Sequence, residues 1–212
     1  MSKYGHKTHD WFEAVINKLG GEAGADAFLR NELGVVRVAK QAVWSILNFI
    51  TTTTVSFSAR PGDTVGEFFK LRDGLYVWDN FRDLMDDNWL ASTIQTIPAT
   101  KISYYDLKKS ANDLQINREF EYHKTPFVFE NLGVLLAVLT SLILAQWNNE
   151  KEGPLLVNED ANLFYVRVGS GVFTVSVCWS ANARFWYVFT TPQGVIKRDV
   201  GDRVFSSNEV SE

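Results

Sequence analysis

The sequence predicts an α+β fold: N-terminal helices, a small middle β element, and a C-terminal antiparallel sheet packed on one apolar helix. Alternating β-branched and aromatic residues in Asn162–Val168 and Val172–Trp179 flank the link Gly169-Ser170-Gly171, a pattern typical of a β-hairpin. The run Arg184–Thr190 predicts a third strand beside this hairpin. The apolar run Leu132–Ala145 precedes the strands and predicts a helix that the sheet can bury.

Helical signals dominate the first part of the chain. Asp10 is placed to cap a first helix, which Gly20-Gly21 ends, and a second short helix ends near Gly34. Apolar residues at helical spacing then predict a third helix over Val35–Ile50. The sequence therefore divides into an N-terminal helical segment, residues 1–50, and an α+β domain, residues 51–212, or forms one continuous domain.

The middle of the chain predicts short strands. Thr51–Ser58 changes to β-branched residues in alternation, which favours a strand. Phe68–Leu71 and Leu75–Trp78 flank Arg72-Asp73-Gly74, where Asp-Gly favours a tight reversal. Tyr104–Ile116 has a weak helical pattern, and we expect a helix there.

Composition limits the function classes. The 212 residues are 46% hydrophobic and 22% charged, which predicts a globular chain. The net charge of −4 argues against a surface built for a phosphate backbone, so a nucleic-acid partner is not expected. Leu132–Ala145 is shorter than the roughly 20 residues that cross a bilayer, and the N-terminus resembles no signal peptide. We therefore expect a soluble, cytoplasmic protein with no membrane association, in which a helix from about Phe127 to Trp147 is buried on nearly all sides.

Several segments carry a further pattern. Gly153–Asn158, Ala161–Arg167 and Gly201–Ser206, with Val177-Cys178-Trp179 between them, resemble the recurring C-terminal pattern of an uncharacterised protein family of Patescibacteria-type candidate-phyla bacteria. Trp78-Asp79-Asn80-Phe81 and the N-terminal Asn17–Gly21 are similar to other signatures of that family. Thr191–Val200 departs from the pattern because it lacks a tryptophan before Gly-Asp-Arg, which leaves the pairing of the last strand open. The resemblance implies one shared architecture and no established activity, cofactor or catalytic residue.

Two groups of residues are candidates for binding. The first lies at the exit of a predicted strand, where loops often present functional side chains, although the simpler role of Asp79 and Asn80 is to cap the next helix. The second follows from strand alternation, which predicts Phe185, Tyr187 and Phe189 inside and Arg184 and Trp186 outside. Rings and guanidinium groups on a sheet face are typical of recognition surfaces, unless helices cover both faces. The candidates are Trp78, Asp79, Asn80, Arg82, Arg184 and Trp186.

Catalytic and metal signals are weak. His6 and His9 have ligand spacing, but zinc needs three or four ligands, so neither a metal nor a cofactor is expected. Cys178 is the single cysteine and lacks a local protease signature. A hydrolase-like site would have to combine it with Asp79 and His123.

The sequence does not specify a molecular function. The aromatic share of 14% and the absence of a catalytic motif favour a non-enzymatic binding protein with a protein or peptide partner. One alternative is a hydrolase-like enzyme at Asp79, His123 and Cys178. Another is single-stranded nucleic-acid binding on an aromatic sheet face, which requires basic residues near Trp186. Oligomeric state stays open.

Overall fold

The computed structural model describes residues 45–85, 87–147, 153–194 and 196–207 continuously, and five single residues before them: Glu13, Ile16, Asn17, Ala23 and Asp26. The chain divides into two compact units, Met1–Val43 and Trp44–Glu212. The helices predicted within residues 1–44, and the histidine pair at His6 and His9, lie outside the continuous ranges. The architecture below is that of the second unit.

The second unit is rich in β-structure. Its helices, in the continuous ranges, are α1 Val65–Phe68, α2 Asp79–Arg82, α3 Asp87–Ala91, α4 Asp113–His123 and α5 Leu132–Ala145. Its strands are β1 Leu47–Phe57, β2 Leu75–Val77, β3 Ile97–Leu107, β4 Ala111–Asn112, β5 Val128–Phe129, β6 Asn162–Val168, β7 Gly171–Ser180, β8 Phe185–Pro192, β9 Lys197–Arg198 and β10 Arg203–Ser207.

One mixed sheet of eight strands organises this unit. The strand order is β1-β3-β10-β6-β7-β8-β2, and β5 pairs with β6 beside β10. Neighbours are antiparallel except for β10 with β6, β5 with β6 and β2 with β8, which are parallel. Strands β4 and β9 form a separate two-stranded sheet. The last strand, β10, therefore lies in the middle of the sheet and joins the early strands to the late ones.

The C-terminal hairpin is confirmed. Strands β6 and β7 pair from Asn162↔Val177 to Val168↔Gly171, and Gly169 takes a left-handed φ of 58° in the turn. Strand β8 adds to β7, with Val188 opposite Val177. This register places Val175, Val177 and Val188 on one face because side chains alternate along each strand.

Helix α5 packs on the same side of the sheet, over β1, β3, β5 and β6. Asn131 begins it as N-cap, its side chain accepting hydrogen bonds from the N–H groups of Gly133 and Val134. Every residue from Leu132 to Thr140 is buried, against sheet side chains that include Phe164 and Phe205. The prediction of a helix buried on nearly all sides is confirmed for this segment. None of the helices described is long and apolar enough to cross a membrane.

Helix α4 covers part of the opposite face. Asn112 and Gln115 form a reciprocal capping box at its start, and Lys124 ends it in a left-handed conformation. Its Ile116 and Phe120 pack against Tyr105 of β3 and a further set of sheet residues: Leu47, Leu163, Tyr165 and Val204. This cover reaches strands β1, β3, β10 and β6.

The predicted α+β class is wrong. The middle strands do not form a small separate element, because β1, β2 and β3 belong to the same sheet as the C-terminal strands. Residues 47–50, predicted as the end of a helix, begin strand β1. Residues 104–107, also predicted as helix, end strand β3, where residues 104–106 pair with both β1 and β10 and Leu107 pairs with β1. Long-range pairing outweighs a weak helical pattern in both segments.

Candidate functional site

A cluster of aromatic rings lies on the face of the sheet opposite α5. Parallel pairing of β2 with β8 sets Tyr76 beside Tyr187, and alternation along β8 puts Phe185 and Phe189 on the same face. Trp78, just beyond the end of β2, completes the set through its contact with Phe189. These five residues, Tyr76, Trp78, Phe185, Tyr187 and Phe189, are called the aromatic face below.

The rings of the aromatic face contact one another and remain accessible. Tyr76 stacks on Phe185 with centroids 6.0 Å apart and lies 5.5 Å from Tyr187. Phe185 and Tyr187 are 4.7 Å apart, and Trp78 lies 5.8 Å from Tyr76 and 6.4 Å from Phe189. Trp78 is 49% exposed and Tyr76 36%, whereas the three β8 rings are half-buried. The surface is therefore contiguous, apolar and open.

Strand β8 faces the opposite way from the predicted orientation. Trp186 is fully buried in the core that also contains α5, with its ring centroid 5.2 Å from that of Trp179 in an edge-on contact, so the prediction that it points outward is wrong. Phe185, Tyr187 and Phe189, predicted inside, form the open face instead. The register with Val177 decides this, since it aligns Val188 rather than its neighbours with the apolar core.

Arg184 is exposed to solvent, as predicted, but it lies in the turn before β8 and not in the strand. It adopts a left-handed φ of 57°, and its N–H donates to the carbonyl of Ser180. Its side chain lines a crevice of about 360 Å³ that also contains Arg72, Tyr76 and Phe185. Arg184 is thus placed at the Phe185 end of the aromatic face.

The predicted binding residues after β2 have different roles: some are exposed on the surface, and Asn80 holds α2 in place. Trp78 is the N-cap position of α2, and Asp79 begins that helix, so neither Asp79 nor Asn80 caps it. The Asn80 side chain accepts a hydrogen bond of 3.3 Å from the N–H of Thr190, which ties α2 to β8. Asp79 is exposed and Arg82 is half-buried. Of this predicted group, Trp78 contributes to the aromatic face.

Asp79, His123 and Cys178 are far apart. His123 is one helical turn after Glu119, whose carboxylate bonds the Ser45 hydroxyl at 2.6 Å beside the start of β1. Cys178 lies on β7, four strand spacings or about 19 Å from β1, and Asp79 follows β2 at the far edge. No proton relay can join groups at such separations.

Cys178 is also chemically quiet. Burial, aided by the nearby carboxylate of Asp202, raises the pKa of its thiol to about 12. A thiolate is the nucleophilic form of cysteine, so at neutral pH this side chain is an unreactive thiol. Cys178 therefore cannot serve as the nucleophile of the predicted hydrolase-like site.

The most buried polar cluster surrounds Asp113, which the sequence did not single out. Arg198 donates to both carboxylate oxygens of Asp113 at 2.8 and 3.1 Å, and the two side chains are 7% and 0% exposed. The Tyr165 hydroxyl at 2.9 Å, the Thr174 hydroxyl and the Gly194 N–H also donate to it. With this many donors the carboxylate has no capacity left for a substrate, and it fastens α4 and β9 to the sheet.

The segments of the family-like pattern meet at one end of β6. The Asn162 side chain bonds Leu156 and Val177, and Asp202 accepts the Ala161 N–H at 2.9 Å. Arg203 donates to the Pro154 carbonyl at 2.7 Å. These groups satisfy buried backbone polar groups, so their visible role is structural.

Comparison with known proteins adds no relative: no family model, curated protein or solved structure matches the chain. The resemblance to the Patescibacteria-type family stays a prediction. Within the described part of the chain, no group of three or more His, Cys, Asp or Glu side chains is arranged to hold a metal ion.

Proposed function

We propose that this chain is a non-enzymatic, cytoplasmic binding protein, and that the aromatic face receives a peptide segment of a partner protein. The observation that carries the proposal is the contiguous set of five rings with Trp78 half exposed at its edge. Tyrosine, tryptophan and arginine are the residues that most often carry the affinity of protein interfaces. Exposed contiguous apolar patches are uncommon on monomers unless a partner covers them.

The charge beside the aromatic face indicates the chemistry of the partner. Arg184 lines the crevice next to Tyr76 and Phe185, and Asp73 lines it as well. In the described part of the chain, neither Arg184 nor Asp73 makes an ion pair. An unpaired guanidinium is a bidentate receptor for a carboxylate. The partner segment is therefore an acidic peptide in which an Asp or Glu lies beside apolar or aromatic residues.

A single-stranded nucleic acid fits this surface less well. Bases could stack on the rings, but such surfaces also need several basic side chains along the backbone track. At the Trp78 end the exposed carboxylates of Asp79 and Asp83 accompany Arg82, whereas Arg184 lies at the Phe185 end. A cation at one end suits a single carboxylate, but this charge pattern does not form a basic track for successive phosphates.

Peptide selection tests the proposal and does not require that the partner be identified first. A random peptide library is selected on the wild-type protein after depletion on Trp78→Ala protein. We expect a consensus that contains an acidic residue next to an aromatic or aliphatic one. The selected peptide, labelled with a fluorophore, is then measured by anisotropy against each variant.

Trp78→Ala is expected to weaken peptide binding at least tenfold, and Arg184→Glu to weaken it and remove its salt dependence. Tyr122→Ala is the matched control, because that ring is 72% exposed on α4, away from the aromatic face. Unfolding curves of all variants confirm that each remains folded. Enrichment of no sequence, or equal binding by Trp78→Ala, refutes the proposal. Tighter binding of a labelled oligothymidine than of any peptide would assign the surface to nucleic acid.

A further inference from the structure

A second concave site lies between the end of β1, helix α1 and the second half of α5. It is a cleft of about 460 Å³, within the range of small-molecule sites. Its walls combine apolar side chains with hydroxyl and charged groups. The apolar ones are Phe57, Phe68, Ile94 and Leu144.

Arg72 is the unusual residue of this cleft. Its guanidinium carbon lies 4.5 Å from the ring centroid of Phe68 and 4.7 Å from that of Trp147. Its Nε is buried and has no hydrogen-bond partner. Burial lowers the pKa of this guanidinium, with the charge of Glu67 acting in the opposite direction. The two rings fix a cation in place and leave its Nε donor unused.

The remaining charges of the cleft do not neutralise Arg72. Glu67 pairs with Lys70, and the carboxylate of Asp63 accepts the Arg60 backbone N–H at 2.7 Å. In the described part of the chain, no carboxylate bonds the guanidinium of either Arg60 or Arg72. Unpaired donors in a partly desolvated site are costly unless a ligand satisfies them.

We propose that this cleft binds a small organic anion, with a carboxylate or phosphate head group at Arg72 and Arg60 and an apolar body against Phe57, Ile94 and Leu144. A guanidinium presents its N–H groups in a planar fork that matches either head group. The rings of Phe68 and Trp147 both contact the guanidinium and restrict its orientation, which lowers the entropy that binding would otherwise cost. No ring of the aromatic face lines this cleft, although Arg72 lines both the cleft and the crevice beside Arg184.

Calorimetry with four probes tests this site. Octanoate and octyl phosphate carry a head group and a body, octanol carries only the body, and inorganic phosphate only a head group. We expect at least one of the two amphiphilic anions to bind at least tenfold more tightly than octanol and than inorganic phosphate. The tighter of the two anions identifies the preferred head group.

Variants connect that binding to Arg72. Arg72→Met keeps an unbranched stem between the rings without the charge and should weaken the preferred anion at least tenfold. Arg60→Gln should weaken it about threefold or more, and this exposed position keeps the test valid if Arg72→Met fails to fold. Arg118→Met, at an exposed position on α4, is the matched control and should bind as the wild type does.

Three results would overturn the inference: neither amphiphilic anion binds at millimolar concentration, octanol binds within threefold of the preferred anion, or Arg72→Met and Arg60→Gln both bind like the wild type. Each leaves the peptide selection on the aromatic face unaffected.

Discussion

Replacing Trp186 with alanine should destabilise the protein strongly. The side chain is fully buried in the core, and its ring centroid lies 5.2 Å from that of Trp179 in an edge-on contact. Truncation of a buried tryptophan to alanine costs about 3–5 kcal/mol, and the lost ring pair adds about 1 kcal/mol. The Nε1 of Trp186 has no hydrogen-bond partner, so its removal returns about 1–2 kcal/mol. We therefore expect a net loss of about 2–5 kcal/mol in the free energy of unfolding, with a midpoint of about 3.5 kcal/mol.

Tyr187, the next residue along β8, provides a control for the Trp186 variant. Tyr187 lies on the opposite, open face and is half-buried, so Tyr187→Ala should cost about 1–2 kcal/mol. Trp186→Phe keeps most of the ring volume and removes the unpaired donor, so its cost should stay below about 1.5 kcal/mol. Urea unfolding followed by circular dichroism measures all three variants. If Tyr187→Ala is more destabilising than Trp186→Ala, the alternation assigned to β8 is refuted.

Three further changes probe other parts of the fold. Asp113→Ala leaves the Arg198 charge buried without a partner and should cost about 3–5 kcal/mol; a melting temperature within about 2 °C of the wild type would contradict a structural ion pair. Gly74→Ala should lower the free energy of unfolding by about 2 kcal/mol, because φ at Gly74 is 82° and a Cβ there would lie 3.0 Å from the ring of Trp147. Gly62→Ala should cost less, because φ is 94° but the Cβ would meet open space, and urea unfolding ranks the two variants. The thiol of Cys178 should react with a disulfide reagent about 1000-fold more slowly in the native than in the unfolded protein at pH 8, since its pKa of about 12 leaves little thiolate; equal rates would contradict its burial.

Local signals predicted the elements that depend on local chemistry. The Gly169-Ser170 turn and its alternating flanks specify the β6–β7 hairpin, and the long apolar run specifies α5. The start of α4 carries an equally local signal, since Asn112 and Gln115 have the spacing of a capping box. That signal places the start of the helix after Asn112. It therefore contradicts a helix that begins at Tyr104, and it leaves the residues before it free to form strand β3.

The face assignment of β8 could not be read from its own residues. Its two alternating sets are both apolar, with Phe185, Tyr187 and Phe189 in one and Trp186 and Val188 in the other. Only the register against Val177 and Val175 of β7 decides which set meets α5. A strand that is apolar on both sides therefore leaves the location of its binding face undetermined.

The sheet order and the Arg72 cleft depend on distant parts of the chain. Parallel pairing of β2 with β8 joins Tyr76 to Tyr187, and no local pattern near Tyr76 indicates that partner. Of the two rings that hold Arg72, Phe68 is close to it in the sequence, whereas Trp147 follows the distant helix α5. Sequence patterns predicted a tight turn at Arg72 and could not indicate that tertiary packing would leave its cation without a carboxylate.

The exposure of the aromatic face follows from the lengths of the elements that cover the sheet. The seven strands of the main path span six spacings, or about 29 Å across. Helix α4 has 11 residues and is about 16 Å long, so even laid across the strands it covers little more than half of that width. It packs at the β1 side, and the Asp113–Arg198 pair fixes it there. On this face of the sheet, β8 and β2 are then left without a helical cover, among the elements described, at the place where their outward residues are aromatic. A sheet face that stays in contact with water normally carries polar side chains, because they cost nothing in solubility. The rings of Tyr76 and Trp78 on such a face therefore support a partner that covers them.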